Sequence, residues 1–591
     1  MKGGAVAAQY SGPAWLKNTQ QLVAALAQDV TNGNSNLGTL GLPDIAAFLN
    51  TPGTPLQDGT PWGDRNSNNT NYYSTQSVPN TGMTRTYDFT VATQTIAPDG
   101  VTKPGLVING GFPGPLIEAN WGDWILVNVH NNLANEGTSL HWHGFLQQGT
   151  PYMDGVPSVQ QCPIAPGKSF QYRFRATLYG TSWYHSHYSA QYAGGALGPI
   201  IVHGPTPYGI TIDRDIGPIM ISDWYHDDYF TLVKQVETPV SIGQTVAPAP
   251  PASNNILING KNNYPCGATT KACVPNAGIA KFNFTSGEYH RLRLINPSAE
   301  ATLKFSIDSH QFTVFANDFV QIQPYVTDVI TLGVGQRSDV IVKATGKPKN
   351  SYWMRVNSTC SVTDGVSPFA VAAIYYEKAD TNSVPTSNMT VSATALARCK
   401  NDDLSKTIPL LPLTPDPIPD VTQDFVITFV NNATATSKTG QFVWDVNNSS
   451  FRGDYNDPLL LEAKLGNFEF EPQWNVYNFQ RNNTVRAIWY NTFTFGPHPL
   501  HLHGFNAYIL DEGFGTWKGT IQNQANPQRR DVQLVQPAKD ANTPAYVVMQ
   551  LEVDNPGVWP FHCHIVSFPL SSFFFFFFFF FFFFFFFKIS Y

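Results

Sequence analysis

Four pairs of histidines, each pair separated by a single residue, stand out in the sequence. The chain has 14 histidines among 591 residues, and random placement would give only about 0.3 such pairs. In an extended strand, residues i and i+2 point to the same face, so each pair can direct two imidazoles at one metal ion or at two neighbouring ions. The pairs are His141/His143, His185/His187, His501/His503 and His562/His564.

A cysteine separates the two histidines of the fourth pair. Because Cys563 lies between His562 and His564, its side chain must leave an extended strand on the face opposite to the two imidazoles. Imidazole binds copper, zinc, iron and nickel, but two histidines with one thiolate are typical of a blue-copper electron-transfer site. Zinc is the alternative metal, although it has no redox use for such a link. Since eight imidazoles exceed the needs of one ion, the sequence predicts a one-electron copper site joined to a histidine-rich metal cluster.

A histidine without a partner at this spacing is weak evidence for a metal site. His498 precedes the third pair by three residues, and five further histidines are scattered through the chain. We expect ordinary hydrogen-bonded roles for these five, which are His130, His203, His226, His290 and His310.

Short strands must position the paired histidines. Glycine and proline are abundant, at 46 and 44 residues, whereas charged residues make up only 13% of the chain. This composition disfavours a helical bundle. Apolar and polar residues alternate in short runs, as at residues 124–129 (WILVNV), between turn signals such as Pro98-Asp99-Gly100. The pattern predicts an all-β protein built from sandwiches or barrels.

An internal repeat indicates the domain organisation. Residues 140–145 (LHWHGF) resemble residues 500–505 (LHLHGF), and residues 183–187 (WYHSH) resemble residues 560–564 (PFHCH), in the same order. The first and third domains are therefore expected to be duplicated folds. Proline-rich and glycine-rich stretches at residues 204–209 and 409–420 indicate the boundaries. We predict an irregular extension at residues 1–80, with one helix at residues 20–29. Three β-domains follow at residues 81–208, 209–415 and 416–565, and residues 566–591 form an aberrant Phe-rich tail.

Charge and glycosylation sequons bear on partners and compartment. The net charge is −7 without a basic tract, so we expect no nucleic-acid partner. Several N-x-S/T sequons and a low lysine content favour secretion, although the first residues, MKGGAVAAQYSGPAW, contain no apolar signal segment. The sequons are at Asn68, Asn283, Asn357, Asn388, Asn432, Asn447, Asn448 and Asn482.

Four segments resemble the copper-binding segments of the multicopper oxidases, and of ascomycete-type laccases in particular. They are H-W-H-G at 141–144, W-Y-H-S-H at 183–187, H-P-x-H-L-H-G at 498–504 and H-C-H-I at 562–565. The resemblance covers roughly residues 84–565. It implies three cupredoxin-like Greek-key β-sandwich or barrel domains, the third of them truncated, in a monomeric and secreted enzyme.

The resemblance also implies four copper ions, of which one is type 1, one type 2 and two type 3. His498 and Cys563 resemble type 1 ligands, at the copper that takes single electrons from a small phenolic or aromatic reductant. The other three ions would form a cluster that reduces O2 to water. The type 2 ion would be bound by His141 and His501. One type 3 ion would be bound by His143, His185 and His564, and the other by His187, His503 and His562.

Two carboxylates match positions at which the family carries acids. Asp154, in Met153-Asp154-Gly155, resembles the acid near the cluster that helps to supply protons. Glu300, in the segment NPSAE at 296–300, resembles the acid beside the substrate in ascomycete laccases, where it could accept a phenolic proton. Without the resemblance, both would be ordinary surface or turn carboxylates.

The fourth segment departs from the family pattern from Val566 onwards. The family has a further type 1 histidine and an axial residue at the positions that Phe568 and Phe573 occupy here, and Phe cannot bind copper. We therefore expect an impaired type 1 site and the loss of the final strand of the third domain. An unspliced, pyrimidine-rich intron would explain this tail. The alternative is a membrane anchor, but the run of Phe at 573–587 would span only about 22 Å as a helix, less than a bilayer core of roughly 30 Å.

The cysteines fit a chain that has lost its last segment. Cys266 and Cys273 are close enough in sequence for a local bridge, and Cys360 could pair with Cys399. In the family, a cysteine placed like Cys162 pairs with one near the C-terminus. The alternative is that Cys162 is a free, buried thiol.

Other functions remain open at this point. Within the family, the chain could be a ferroxidase or an ascorbate oxidase, whereas only seven methionines disfavour an oxidase of cuprous ions. Outside the enzymes, it could be a non-catalytic copper-binding cupredoxin protein. The missing type 1 ligand favours that alternative, and the eight retained imidazoles disfavour it.

Overall fold

The computed structural model describes most of the chain from residue 62 onwards. The predicted helix at 20–29, Phe568 and Phe573 lie outside the described residues. The described ranges are 62–63, 65–67, 70–71, 73–237, 240–241, 251–431, 439–440, 442–479, 483–494, 496–566 and 576–580.

The first of three β-units contains eight strands in two sheets. One four-stranded sheet has the order β2-β1-β4-β6 and the other β3-β8-β7-β5. Strands β5 and β7 are adjacent in the second sheet and pair antiparallel. The strands are β1 (Thr84–Ile96), β2 (Lys103–Ile108), β3 (Ile117–Asn120), β4 (Trp124–Asn131), β5 (Leu140–Trp142), β6 (Ser169–Arg175), β7 (Gly180–Ser186) and β8 (Leu197–His203).

The second unit is built from a six-stranded and a five-stranded sheet. Their orders are β11-β9-β13-β18-β15-β16 and β12-β20-β19-β14-β17, and the two-residue strand β10 pairs with the third unit instead. The strands are β9 (Arg214–Trp224), β10 (Val240–Ser241), β11 (Asn255–Ile258), β12 (Lys281–Phe284), β13 (Tyr289–Ile295), β14 (Leu303–Ile307), β15 (Phe312–Asn317), β16 (Val320–Thr327), β17 (Ile330–Leu332), β18 (Arg337–Lys343), β19 (Ser351–Asn357) and β20 (Phe369–Tyr376).

The third unit repeats this arrangement of six and five strands. Its sheets have the orders β23-β21-β25-β30-β27-β28 and β24-β32-β31-β26-β29, and β22 pairs with β10. The strands are β21 (Val421–Asn431), β22 (Thr439–Gly440), β23 (Phe442–Val446), β24 (Val476–Asn478), β25 (Thr484–Asn491), β26 (His498–Leu502), β27 (Ala507–Phe514), β28 (Gln528–Arg530), β29 (Val532–Val535), β30 (Ala545–Glu552), β31 (Gly557–Cys563) and β32 (Phe576–Phe580).

Helices are short and connect the strands. In the described ranges, none is long and apolar enough to cross a membrane. The α-helices are α1 (Tyr229–Glu237), α2 (Ala393–Ala397) and α3 (Leu459–Leu465), and the single turns of 3-10 helix are Thr75–Ser77, Pro151–Met153, Gln191–Gly194, Cys266–Ala268 and Pro472–Trp474. The all-β prediction is confirmed. The predicted domain boundaries stay predictions. Those at 208/209 and 415/416 fall between strands of successive units, whereas that at 565/566 falls between β31 and β32 of the third unit.

Alternation along the strands builds a separate core in each unit. In β4, Ile125, Val127 and Val129 are fully buried, whereas the residues between them are partly exposed. The three side chains belong to one cluster with Trp142 and Trp183 of the opposite sheet. Burial of each such side chain contributes about 1.5–3 kcal/mol. This apolar packing fixes the edge of the sheet where β5 and β7 end.

The expectation that the final strand of the third unit is lost is not met. Phe576–Phe580 forms β32, which pairs antiparallel with β31 and parallel with β24. Phe has a high strand propensity. A strand of identical residues also presents the same side chain on both faces, so its sequence tolerates pairing in any register. A tail without the family's sequence can therefore occupy a strand position.

Both predicted local disulfides are present. Cys266 is bonded to Cys273 and Cys360 to Cys399. Cys162 is a free thiol, but it is exposed, so the alternative of a buried thiol was wrong. It lies in the loop between β5 and β6, directly after the buried Gln161.

We predict that Gly504, next to the third histidine pair, is required for packing against β31. It has φ 73°, and a Cβ there would lie 2.6 Å from the ring of Trp559. Gly515 has a similar φ of 82°, but open space surrounds it among the described residues. Gly504→Ala should therefore lower the free energy of unfolding by about 1–3 kcal/mol more than Gly515→Ala, because only the former overpacks the core. Chemical denaturation measures both values, and equal losses would contradict this account.

Candidate metal centre

Two strand pairs bring the four histidine pairs together. His141 on β5 lies opposite His185 on β7, and His501 on β26 lies opposite His562 on β31. Directly opposed residues of an antiparallel pair share one face of the sheet, as residues i and i+2 do. Each strand pair therefore presents four imidazoles on one face, as the spacing predicts.

The first and third units face each other across these imidazoles. The rings of His143 and His501 stack with centroids 3.9 Å apart, and those of His141 and His503 are 4.1 Å apart. Further contacts across the interface include those between His185 and His564, at 5.1 Å, and between His187 and His562, at 5.3 Å. The structure thus brings all eight predicted cluster histidines into one site.

Backbone carbonyls orient the rings. The Nδ1 atoms of His141, His185 and His501 donate to the carbonyl oxygens of Asp154, Ser186 and Asp531, at 2.7, 3.0 and 3.0 Å. A neutral imidazole that donates from Nδ1 carries its lone pair on Nε2. These bonds therefore turn three Nε2 lone pairs away from the strands.

Several of the inward nitrogens lack a protein partner, which fits a bound metal. In the described chain, no hydrogen bond reaches the buried Nε2 atoms of His141, His185, His501 and His564 or the Nδ1 of His143. A buried polar atom without a partner is costly, about 1–3 kcal/mol. Four groups of side chains bring potential ligand atoms within 4.8 Å of one another: His141, His143 and His185; His141, His501 and His503; His187, His503 and His562; and His143, His501 and Asp531.

Burial keeps the imidazoles neutral. Desolvation lowers the pKa of His562 to about 3 and that of His498 to about 4. Burial also lowers the pKa of six further cluster histidines well below the usual value, and neighbouring imidazoles lower it further. These six are His143, His185, His187, His501, His503 and His564. A neutral imidazole is the form that binds metals.

A second group lies on the opposite face of β31. Cys563 pairs in register with Leu500, and its Sγ atom is 3.5 Å from the Nδ1 atom of His498. Cys563 is buried, and desolvation raises the pKa of its thiol to about 12. A metal ion would deprotonate such a thiol. The predicted arrangement of one sulfur behind two imidazoles is therefore present on a single strand.

Asp154 lies inside the cluster rather than on the surface. Its Oδ2 atom accepts hydrogen bonds from the Nδ1 of His503 at 2.8 Å and from the amide of Gln160 at 3.1 Å. The side chain is fully buried, and desolvation raises its pKa. Asp154 can thus orient a ring of the cluster and hold a proton next to it.

Glu300 lies beside the segment that follows Cys563. The backbone N–H of Val566 donates to the carbonyl of Ala299 at 2.9 Å. The side chain of Glu300 is partly exposed, and its Oε2 atom is 3.5 Å from the hydroxyl of Tyr225. Desolvation of the carboxyl group and the nearby charge of Asp223 raise the pKa of Glu300 to about 8. A carboxylate of this basicity near the surface is suited to accept a proton from a small molecule.

The histidines without paired spacing lie outside the cluster, as expected. Each has a hydrogen-bond partner elsewhere in the structure. The pairs are His130 with Ser169, His203 with Glu118, His226 with Asp99, His290 with the N–H of Thr285, and His310 with Tyr376.

Asp531 and Arg337 were missed from the sequence. Asp531 is fully buried, with Oδ1 3.2 Å from the Nε2 of His143, and Arg337 forms a bidentate ion pair with it. Burial raises the pKa of Asp531 to about 6, and the Arg337 charge opposes that rise. The only sequence signal is a run of three charged residues, Arg529-Arg530-Asp531, before the apolar strand β29. That signal does not show which partner the carboxylate meets.

Comparisons with known proteins give a consistent result. Three family models described as multicopper oxidase match residues 90–207, 215–379 and 430–568. The chain is 38% identical over 525 residues to Laccase-2 of Botryotinia fuckeliana, with 85% of this chain and 83% of the relative covered. It is 35% identical over 517 residues to dihydrogeodin oxidase of Aspergillus terreus, with 83% and 82% covered. The crystal structure of the laccase from Botrytis aclada matches with a TM-score of 0.74 at 35% identity and covers 86% of this chain and 89% of that chain.

The matched ranges contain every histidine of the site. The first range includes the two pairs on β5 and β7, and the third includes the two pairs on β26 and β31 together with Cys563. Copper is the metal of this family, and the orphaned imidazole nitrogens of the cluster fit such ions. The chain belongs to the multicopper oxidase family.

Proposed function

We propose that this chain is a laccase-type oxidase of phenolic or related aromatic compounds, with O2 as the electron acceptor. One observation carries the proposal. Strand β31 places Cys563 on one face, beside His498, and His562 and His564 on the other face, within the cluster. The shortest covalent path from the sulfur to either imidazole crosses one peptide bond, which suits electron transfer between two metal centres.

Four copper positions are proposed from the ligand pattern. His498 and Cys563 would bind the type 1 ion, and the eight paired histidines would bind the other three. Bound copper would supply one-electron redox chemistry at both centres. The overall reaction balances when four phenols each lose one electron and one proton, and one O2 takes up four of each to give two water molecules.

Two carboxylates would handle the protons. Glu300 would accept the phenolic proton as the electron leaves, because its raised pKa makes it a competent base near neutral pH. Asp154 would hold a proton next to His503, since its buried carboxyl is 2.8 Å from that ring and has a raised pKa. The names of the relatives, a laccase and an oxidase of dihydrogeodin, support an aromatic substrate.

The chain as printed would be impaired at the type 1 site. His498 and Cys563 supply two of three strong ligands, and Phe568 stands where the family has the third. The cluster keeps all its histidines. Secretion is also part of this proposal, and the two disulfides support it because such bonds persist in oxidising compartments.

We predict that the purified chain binds about three copper ions, at the cluster but not at a normal type 1 site. His501→Gln should lower the copper content because it removes one of the two proposed type 2 ligands. His310→Gln is the matched control, since His310 is equally buried but bonds to Tyr376 away from the cluster. Elemental analysis after dialysis measures the content. A parent chain without copper, or equal losses in both variants, would contradict the proposed cluster.

We predict that the copper-loaded chain lacks intense blue absorption and oxidises a catechol-like donor poorly. Phe568→His should restore three strong type 1 ligands and produce both the blue copper–thiolate absorption and O2 uptake. Ser567→His, one position away, is the control and should restore neither. Visible spectroscopy and an oxygen electrode measure these outcomes. Intense blue colour in the unmodified chain would show that the type 1 site is not impaired.

We predict that Glu300 controls the pH dependence of phenol oxidation in the Phe568→His background. Below a pKa of about 8 the carboxyl is increasingly protonated and cannot act as a base. The kcat/KM for a phenol should therefore rise with pH until about 8 and then level off. Glu300→Gln should lower the plateau by about 100-fold and remove the rise. Ferrocyanide loses no proton, so its oxidation is the control. An equal loss with ferrocyanide would refute a role for Glu300 as a base.

A further inference from the structure

An arginine of the second unit reaches the histidine cluster. Among the described residues, this unit contributes no imidazole to the site. Arg337 at the start of β18 nevertheless forms two parallel hydrogen bonds to Asp531 of the third unit, Nη1 to Oδ1 at 2.6 Å and Nη2 to Oδ2 at 2.7 Å. Both side chains are fully buried. A bidentate arginine–carboxylate pair fixes geometry as well as charge.

Asp531 contacts two cluster histidines from two different atoms. Its Oδ1 atom is 3.2 Å from the Nε2 of His143, and its backbone carbonyl accepts a hydrogen bond from the Nδ1 of His501 at 3.0 Å. The two rings stack at 3.9 Å with an interplanar angle of 11°. A proton on Nε2 of His143 would leave the lone pair of Nδ1 directed at a metal. Carboxylates that hold metal-binding histidines in this way set the tautomer and the ring orientation.

The ion pair has no room to move. A Cβ on Gly144 would lie 2.5 Å from Nη2 of Arg337 and 2.6 Å from Oδ2 of Asp531. A Cβ on Gly335, two residues before Arg337, would lie 3.0 Å from Cε1 of His143 and 3.1 Å from Cδ2 of His564. The second unit therefore closes directly on the cluster through the segment 335–337.

Further buried charges hold Arg337 in place. Its Nε atom donates to the carbonyl of Thr181 in the first unit at 3.2 Å. Asp318 lies 3.3 Å from Nη1 of Arg337 and accepts hydrogen bonds from Arg530 at 2.9 and 3.1 Å. The four charges alternate and cancel. The arginine fork fixes both oxygens of Asp531, and Oδ1 also contacts His143, so this carboxylate is suited to orient the His143 ring.

We propose that Arg337 is a positioning residue for the copper-binding imidazoles of His143 and His501, acting through Asp531. The inference rests on the proposed function, because it requires copper at the cluster. It gives the middle unit, which supplies no ligand among the described residues, a direct part in holding the metal site.

The test compares two buried arginines in the full chain, each loaded with copper. Arg293 is the matched control: it is equally buried, is bidentate to Asp215 and also contacts Thr181, but it is not bonded to the cluster. Arg337→Met should weaken copper binding about 10–100-fold and change the paramagnetic resonance spectrum of the bound copper. Arg337→Lys should recover only part of this loss, because an ammonium lacks the fork. Arg293→Met should leave the affinity and the spectrum as in the parent.

The outcomes separate three cases. Thermal unfolding of the copper-free proteins reports the structural cost, which should be similar for Arg337→Met and Arg293→Met. If both variants lose copper equally, or Arg337→Met binds copper as the parent does, the inference is overturned. If the parent itself binds no copper, the proposed function fails instead. Should Arg337→Met not fold, Asp531→Asn keeps the side-chain volume and must show the same spectral change, or the inference is again overturned.

Discussion

The constraint on which the site depends is the enclosure of eight imidazoles between two β-units. Desolvation drives the pKa values of seven of them down, so protonation of these rings does not relieve the cost of unpaired nitrogens. At least five inward nitrogens lack a partner among the described residues. Each such atom costs about 1–3 kcal/mol. An arrangement of this kind is stable when cations accept the lone pairs, which is why the geometry of the cluster points to metal ions before any comparison with relatives.

The surrounding polar groups make that arrangement specific. Backbone carbonyls and Asp154 hold one nitrogen of several rings, so the opposite nitrogen must face the cavity. Asp531 does the same for His143, and Arg337 neutralises its charge in a region without water-exposed atoms. Buried ion pairs of this type rarely add stability. Their presence here is better explained by the orientation that they impose on the imidazole rings of the cluster.

Most of the site could be predicted from the histidine pattern, because residues i and i+2 of an extended strand lie on the same face in any fold. Spacing placed each pair on one face, and Cys563 on the other, without knowledge of the fold. Asp531 and Arg337 could not be found in this way, since they are far apart in the chain and meet only after the second and third units have docked. The sequence also left open the state of Cys162, whose exposure only the structure shows, and it did not predict the strand formed by Phe576–Phe580. The former depends on the path of a turn, and the latter on a free sheet position that a homopolymer can fill.

The position of β31 late in the chain sets the order in which the site can assemble. Half of the imidazoles lie on β5 and β7, but the strand that faces them is synthesised hundreds of residues later. Contacts of such long range form late, because a large loop must close before they yield any stabilisation. The newly made first unit must therefore keep four unliganded imidazoles at an open surface, where loosely bound cations can exchange. The full set of eight imidazoles is consequently available to a metal only after the last strand has been synthesised and has docked.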